Sequence, residues 1–431
     1  MNKGILFVLI ILIIVSFISC STEDSFLESD RTEEQDDDNY AQEKLLHNKW
    51  TYSRMRSEYF WYKEMPDSAS LAFYSEPDDF FRSLLFSQDR FSWCENNVNY
   101  KEGFAGNISG FEYQRFEVYG SILNRILYVY SKELMEAGLS RGDYFQLDEN
   151  YIIKGTIQNR IFKPLSKIKI IQTMTKSSDL APTISLDTIY TIGNKKIGYF
   201  IYDQFESTTD VAQIAIRLKN RGITDLIVDL RYNPGGYVST SKYLASMLVP
   251  NEYLGKLYQL QRYNDIQTRI KREKGGSGID SVFLDNGFLT FERNLNLDRV
   301  VVLTTKNTAS ASEALIIGLR PYMDVITIGT TSCGKDVGSY TIADNRYKYQ
   351  LQPITFRYYN ALNDSTPGTG IVPDIQVEDD LNHKRGDTNE ALLHAAINYL
   401  LEKKADVSTR SIGDHGEREY GKSSIQMKNN L

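Results

Sequence analysis

The chain has 431 residues, 41% hydrophobic and 24% charged, a balance ordinary for a globular protein and a length sufficient for two or three domains. A net charge of −7, with no basic cluster, argues against a nucleic-acid partner. Four scattered histidines and three cysteines form no metal constellation, and no cofactor is expected.

The first element is a targeting segment, Met1 to Ser19. Lys3 supplies the charged start, and Ile5 to Ile18 is a nearly unbroken apolar run of 14 residues. That is short of the roughly 20 needed to span a bilayer. The run ends in Phe17-Ile18-Ser19-Cys20. This resembles a bacterial lipoprotein signal, with Phe17 where Leu is usual. The resemblance implies cleavage before Cys20, lipidation of that cysteine and anchoring in the cell envelope, at the periplasmic or surface face of the outer membrane. Residues 20–40 are polar and acidic and read as a solvated tether. Cys94 and Cys333 lie far apart in sequence; a disulfide between them is allowed but not required.

Residues 41–94 read as a small helical cap. Leu45, Leu46, Trp50, Tyr59, Phe60 and Trp61 come first, Met65-Pro66 breaks the run, and Phe80, Phe81, Leu84 and Leu85 recur at helical spacing. Residues 95–175 change to short strands: 113–118, 127–130, 151–155 and 168–171. Among them stands Glu136-Ala137-Gly138-Leu139-Ser140-Arg141-Gly142-Asp143. This octet resembles a PDZ domain, which captures a peptide by adding it as a strand. Gly103-Phe104 and Gly110-Phe111 are both candidates for the carboxylate loop. A polar stretch, 173–183, reads as a linker.

Residues 183–403 follow an alternating α/β pattern. Strands are expected at 197–205, 225–230, 300–304, 325–328 and 347–358, with helices at 211–220, 241–248, 311–322 and 390–401. Residues 251–298 read as an insertion, with 271–278 a flexible loop and 288–292 a strand. A polar tail, 404–431, closes the chain.

Three loops carry chemistry. Asp229-Leu230-Arg231-Tyr232-Asn233-Pro234-Gly235-Gly236 leads from a strand into a helix and offers main-chain N–H groups at a sheet edge. Glycine lets a substrate approach that main chain closely. Thr308-Ala309-Ser310-Ala311-Ser312-Glu313 places Ser310 among small residues just ahead of a helix, whose free N–H groups can stabilise an oxyanion. Thr331-Ser332-Cys333-Gly334-Lys335 ends with Lys335, 25 positions after Ser310, a gap filled by one helix and one returning strand. A serine hydroxyl needs a neighbour to take its proton. Lys335 can do so only when neutral, which burial favours. A Ser-His-Asp triad is the competing mechanism, but His47, His383, His394 and His415 lie in the cap, in polar stretches or on the closing helix.

These three motifs in this order, with Gly370-Ile371-Val372-Pro373-Asp374 as a fourth, resemble the C-terminal processing peptidases, or tail-specific proteases. The resemblance covers roughly residues 95–400. It implies a ClpP/crotonase-like α/β protease core behind a PDZ-like domain, and a serine endopeptidase acting on polypeptide substrates. Ser310 falls on the nucleophile and Lys335 on the general base; the N–H groups of Ala311 and of Gly235 or Gly236 fall on the oxyanion hole. Two positions depart from the pattern. Ser339 stands where many members carry a Gln that orients the lysine, and Asp336 follows the lysine where Gly is common; its carboxylate is expected to point outward. A rival reading is a non-catalytic peptide- or ligand-binding lipoprotein on the same scaffold.

Overall fold

The computed structural model describes residues 33–96, 110–148, 151–169, 183–346, 349–402 and 418–419. Its centre is a six-stranded sheet in the order 375–376, 324–329, 299–304, 225–229, 195–202, 184–192. All neighbours run parallel except the edge hairpin 184–192/195–202. Parallel strands are covered on both faces, so their sequences are continuously apolar. Leu226–Val228 and Val300–Leu303 obey this, every residue being buried. One face packs against helices Thr208–Arg221, Val238–Leu248 and Ala311–Leu319 through Ile214, Leu218, Leu244, Leu248, Leu315 and Ile316. The other face is covered by helix Ala391–Leu400, through Leu392, Leu393, Ala396, Ile397 and Leu400. Each of those fully buried leucines contributes about 1.5–3 kcal/mol by leaving water.

The helices begin and end where local chemistry dictates. Ser207 caps Thr208–Arg221 by accepting from the Asp210 N–H, and Gly222 ends it at φ 63°. Glu390 caps the closing helix with both carboxylate oxygens, on the N–H groups of Leu392 and Leu393.

The N-terminal helical region sits on the strands that follow Lys335. Met55, Tyr59, Tyr62, Phe80, Phe81 and Leu84 pack against Val337, Ile342, Tyr349, Leu351 and Ile354. Strand Trp93–Asn96 then pairs antiparallel with Tyr349–Gln352. The β-rich domain has strands Phe111–Val118, Ser121–Val129, Tyr144–Asp148, Tyr151–Gln158 and Ile161–Lys169, with the short helix Lys132–Glu136 between the second and third. Of the two carboxylate-loop candidates, Gly110-Phe111 opens the first of these strands, and Gly103-Phe104 lies outside the described residues. Arg418 and Glu419, from the polar tail, pair with Glu117 and Phe116 at its edge.

Arg141 of the Gly-Leu-Ser-Arg-Gly-Asp stretch ties this domain to the core. It donates to the Tyr232 hydroxyl at 2.6 Å and to Asp379 Oδ1 at 2.8 Å. Tyr128 stacks on Tyr232 with ring centroids 5.6 Å apart. Burial alone would raise the Asp379 carboxyl, but the Arg141 and Arg231 guanidiniums hold it down to about 2.

Four expectations need correction. The acidic stretch read as tether is helical from Glu33 onward, within helix Glu33–Glu58; acidic residues suit the positive end of a helix dipole. Residues 251–298 are not a detached insertion. Leu257–Tyr263 and Ile279–Phe283 join Ile354–Tyr359 and Val337–Ser339 in a four-stranded antiparallel sheet. The loop expected at 271–278 begins inside helix Asp265–Glu273, which Asn264 caps through the Gln267 N–H at 2.7 Å. Phe288–Arg293 is helix, not strand. Its aromatic residues suggest a strand, but Phe288 is 76% exposed, and Lys219 Nζ holds the terminal carbonyl of Glu292 at 2.8 Å.

Candidate active site

Three loops leave the carboxyl ends of the parallel strands 225–229, 299–304 and 324–329, the edge where open α/β sheets place ligands. They carry Gly235-Gly236, Ser310 and Lys335. Hydrogen bonds weld them to one another. Thr308 Oγ1 donates to Leu230 O at 2.8 Å, the Ala309 N–H to Asn233 O at 3.1 Å, and the Cys333 N–H to Thr308 O at 2.9 Å.

The first loop is held from beneath by ions. Arg231 is wholly buried and reaches Asp229 at 3.0 Å, Asp379 at 2.9 Å and both oxygens of Glu390 at 2.8 Å. The Asp-Leu-Arg part of the motif is therefore scaffold for the turn that follows it. Asn233 shapes that turn: its Oδ1 accepts from the Gly235 N–H at 2.8 Å, and its Nδ2 donates to Tyr202 O at 2.8 Å. The Gly235 N–H is thus engaged by protein. Among the described residues, the Gly236 and Ala311 N–H groups have no protein acceptor.

Gly235 lies directly against the serine. A Cβ there would stand 2.8 Å from Ser310 Cβ and 2.9 Å from Ala311 N, on a backbone at φ +112°. Gly235→Ala is expected to cost about 1–3 kcal/mol of stability through strain and collision. A lowered thermal midpoint checks this; an unchanged one would mean that the two loops slide apart freely.

Ser310 occupies φ 57°, ψ −115°, unusual for a residue with a side chain. Such strain persists only where surroundings over-determine it, and it concentrates at functional sites. The residue is half-buried and so remains within reach of a ligand. Its loop is anchored by Glu313, one turn into the helix Ala311–Leu319. The Glu313 side chain is fully buried and accepts four hydrogen bonds. Oε2 takes the N–H groups of Ser310 at 2.9 Å and Lys335 at 2.8 Å. Oε1 takes the Gly334 N–H at 2.7 Å and the Ser332 hydroxyl at 2.5 Å. Burial pushes the Glu313 carboxyl up, and these donors oppose the shift.

Tyr358 is a second clasp. Its hydroxyl lies 2.9 Å from Lys335 O and 3.5 Å from Ser310 O, and 2.8 Å from Thr366 Oγ1. Burial holds that phenol well above its ordinary range, so it stays protonated and able to donate. One carboxylate and one phenol therefore set the spacing of the Ser310 and Lys335 backbones.

The Lys335 side chain retains some accessible surface, while its amine is enveloped by protein. Burial holds the amine below the ordinary lysine range, against the opposing influence of Cys333, Glu313 and Asp89. Nζ lies over the Phe91 ring, 5.2 Å from its centroid, and is not hydrogen-bonded to Ser310 Oγ. Catalytic hydrogen bonds are often long or absent until substrate is bound. Asp336 turns from the lysine to pair with Arg357 at 2.7 Å, half-buried rather than fully outward. Ser339 sits in the strand Val337–Ser339, and its hydroxyl makes no hydrogen bond to Lys335. Cys333 and Cys94 are not joined in a disulfide; Cys20 and His415 lie outside the described residues. His383 pairs with Asp380 and His394 with Thr388 O, and neither contacts Ser310. His47 is buried against Tyr349, where desolvation pushes it down to about 4.

The motif names Glu313 without revealing its role, and no local pattern marks Asp89, Phe91 or Tyr358 as functional. The Ser-x-x-Glu spacing was the available signal for Glu313, as half of a helix capping box.

Comparison with known proteins finds the same territory. The profile for peptidase family S41 matches residues 196–377, and that for the peptidase S41 N-terminal domain matches residues 47–93. A carboxy-terminal-processing protease of Bartonella bacilliformis is 31% identical over 229 residues, covering 52% of this chain and 46% of that protein. A chloroplastic C-terminal processing peptidase of Tetradesmus obliquus is 26% identical over 186 residues, covering 43% of this chain and 36% of that protein. The chain thus spans less than half the length of these curated relatives. A crystal structure from Bacteroides fragilis, of a protein assigned to the S41 proteases, superposes with a TM-score of 0.67 at 25% identity, covering 82% of this chain and 97% of that one. Two profile matches on the helical region and the core, and a shared fold around the three welded loops, mean that this chain belongs to peptidase family S41.

Proposed function

We propose that this protein is a serine endopeptidase that cleaves polypeptides through Ser310 and Lys335. The observation that carries the reading is the pair of clasps, Glu313 and Tyr358, holding the backbones of a strained serine and a buried lysine side by side. Ser310 Oγ attacks the scissile carbonyl carbon and passes its proton to the neutral Lys335 amine. The oxyanion is met by the N–H groups of Ala311 and Gly236. Gly235 serves by its missing side chain, since its own N–H is engaged by Asn233. The lysine ammonium then protonates the leaving amine as the C–N bond breaks. Water, giving its proton to the same lysine, hydrolyses the Ser310 ester and regenerates the hydroxyl.

The β-rich domain is read as a PDZ-like module that selects substrates by an extended terminus, and Cys20 as a lipid anchor holding the enzyme at the envelope. Labelling with palmitate, lost in Cys20→Ala, tests the anchor. The test of activity is incubation with an unfolded protein and mass-spectrometric mapping of new termini. Termini appear with the native chain and not with Ser310→Ala. Intact substrate in both would leave the non-catalytic binding reading.

A further inference from the structure

The wall around Lys335 is not built by the core alone. Phe91, whose ring faces the amine, belongs to the turn that ends the N-terminal helical region. Asp89 shapes that turn. Its Oδ1 accepts from the N–H groups of Phe91 at 2.8 Å and Ser92 at 3.0 Å, and its Oδ2 from the buried Tyr59 hydroxyl at 2.7 Å. Arg90 reaches across and donates Nη2 to the carbonyls of Gly334 at 3.2 Å and Gly368 at 3.1 Å. Gly334 immediately precedes the lysine. Ser92 Oγ then accepts from the Ile354 N–H at 2.8 Å, seating the turn on the strand that carries Tyr358. Three consecutive residues thus divide three tasks: Asp89 sets the turn, Arg90 pins the lysine's loop, and Phe91 covers the amine.

Ser339, four residues beyond the lysine, offers it no hydrogen bond. We infer that the turn Asp89-Arg90-Phe91 is the positioning element of the general-base lysine, supplied by the N-terminal region; this rests on the reading of Ser310 and Lys335 as the reacting pair.

The turn acts on the amine in two opposing ways. The Phe91 ring excludes water, which disfavours the ammonium, and this outweighs the weaker attraction of a cation to its face. The Asp89 carboxylate favours the ammonium. The other titratable groups facing the amine are Glu313 and the Cys333 thiol, while Asp336 is engaged by Arg357. Substitutions on one turn should therefore move the lysine's titration in opposite directions, which a merely structural role would not do.

The experiment is the pH dependence of kcat/KM for peptide hydrolysis, using the full chain and its variants. The acid limb reports loss of the neutral base in the free enzyme. Phe91→Ala is expected to move that limb to higher pH, lowering kcat/KM on the limb by about tenfold for each pH unit moved and recovering above it. Phe91→Leu, which keeps an apolar cover, restores most of the native position. Asp89→Asn moves the limb to lower pH. Limbs that coincide with the native one in both Phe91→Ala and Asp89→Asn, or that move the same way in both, overturn the inference. Should Phe91→Ala fail to fold, an unmoved limb in Asp89→Asn overturns it alone. Full turnover by Ser310→Ala would instead sink the reading of the reacting pair, a separate outcome.

Discussion

Lys335→Ala is expected to lower kcat/KM for peptide hydrolysis by about 10²- to 10⁴-fold, the usual contribution of a positioned proton acceptor. Ser310→Ala should lower it by on the order of 10⁶-fold, since the covalent route is lost altogether. Lys335→Arg should not rescue, because a guanidinium stays charged and cannot accept the serine proton. Steady-state kinetics on one peptide substrate checks all three. The lysine also carries a stability signature with a definite sign. Burial holds its folded-state titration below that of the unfolded chain. Between those two values the unfolded chain binds the proton and the folded one does not, so stability rises with pH through that window. Below the folded value the cost of burying the ammonium is fully present. Lys335→Met removes that cost. It should melt above the native protein at neutral pH, with the gap closing as pH approaches about 10.4, the ordinary lysine value. A variant that melts lower at neutral pH would show that the amine is favourably bound rather than strained, and the base assignment would fail with it.

Glu313 carries the second large effect. Its carboxylate serves four donors from three separate positions: Ser310, Ser332 and the Gly334-Lys335 pair. Glu313→Ala leaves all four without their acceptor, the Ser332 and Gly334 donors fully buried and the Ser310 and Lys335 donors partly so, at about 1–3 kcal/mol per buried group before relaxation. A net loss of about 3–5 kcal/mol is expected, the range found when a buried polar network loses its centre. Glu313→Gln keeps the shape but turns an amide N–H₂ toward two donors, so it should recover only part of that loss. Both variants should also lose turnover at temperatures where they remain folded, because the Ser310 and Lys335 backbones meet on one oxygen. Denaturant titration gives the stability, and kcat/KM well below the midpoint gives the rest. Native turnover in a folded Glu313→Gln would show that the spacing is held elsewhere, with Tyr358 the remaining clasp.

Much of this architecture is legible in the chain. Buried parallel strands such as the one holding Val300–Leu303 announce themselves as unbroken apolar runs, because both faces are covered. Gly235 and Gly236 mark a strand-to-helix turn, and Ser310 stands at the start of an apolar helix. Errors fell where a segment's partner was invisible. Residues 271–278 read as a flexible loop, yet helix Asp265–Glu273 runs into them, and its cap, Asn264, also donates to Tyr59 O at 2.9 Å, 205 positions away. Residues 288–292 read as strand by their side chains, but among the described residues no strand pairs with them.

Local pattern by itself determined the parallel core strands, the helices that cover them and the identity of the three loops. It did so because backbone conformation and apolar periodicity are short-range properties. Only the folded chain decided that Gly236 rather than Gly235 keeps a free N–H, that Glu313 joins loops 22 residues apart, and that Phe91 covers an amine 244 positions further on. Those outcomes depend on which buried donor meets which acceptor in three dimensions. A carboxylate or a phenyl ring carries no mark of its distant partner in its own sequence neighbourhood.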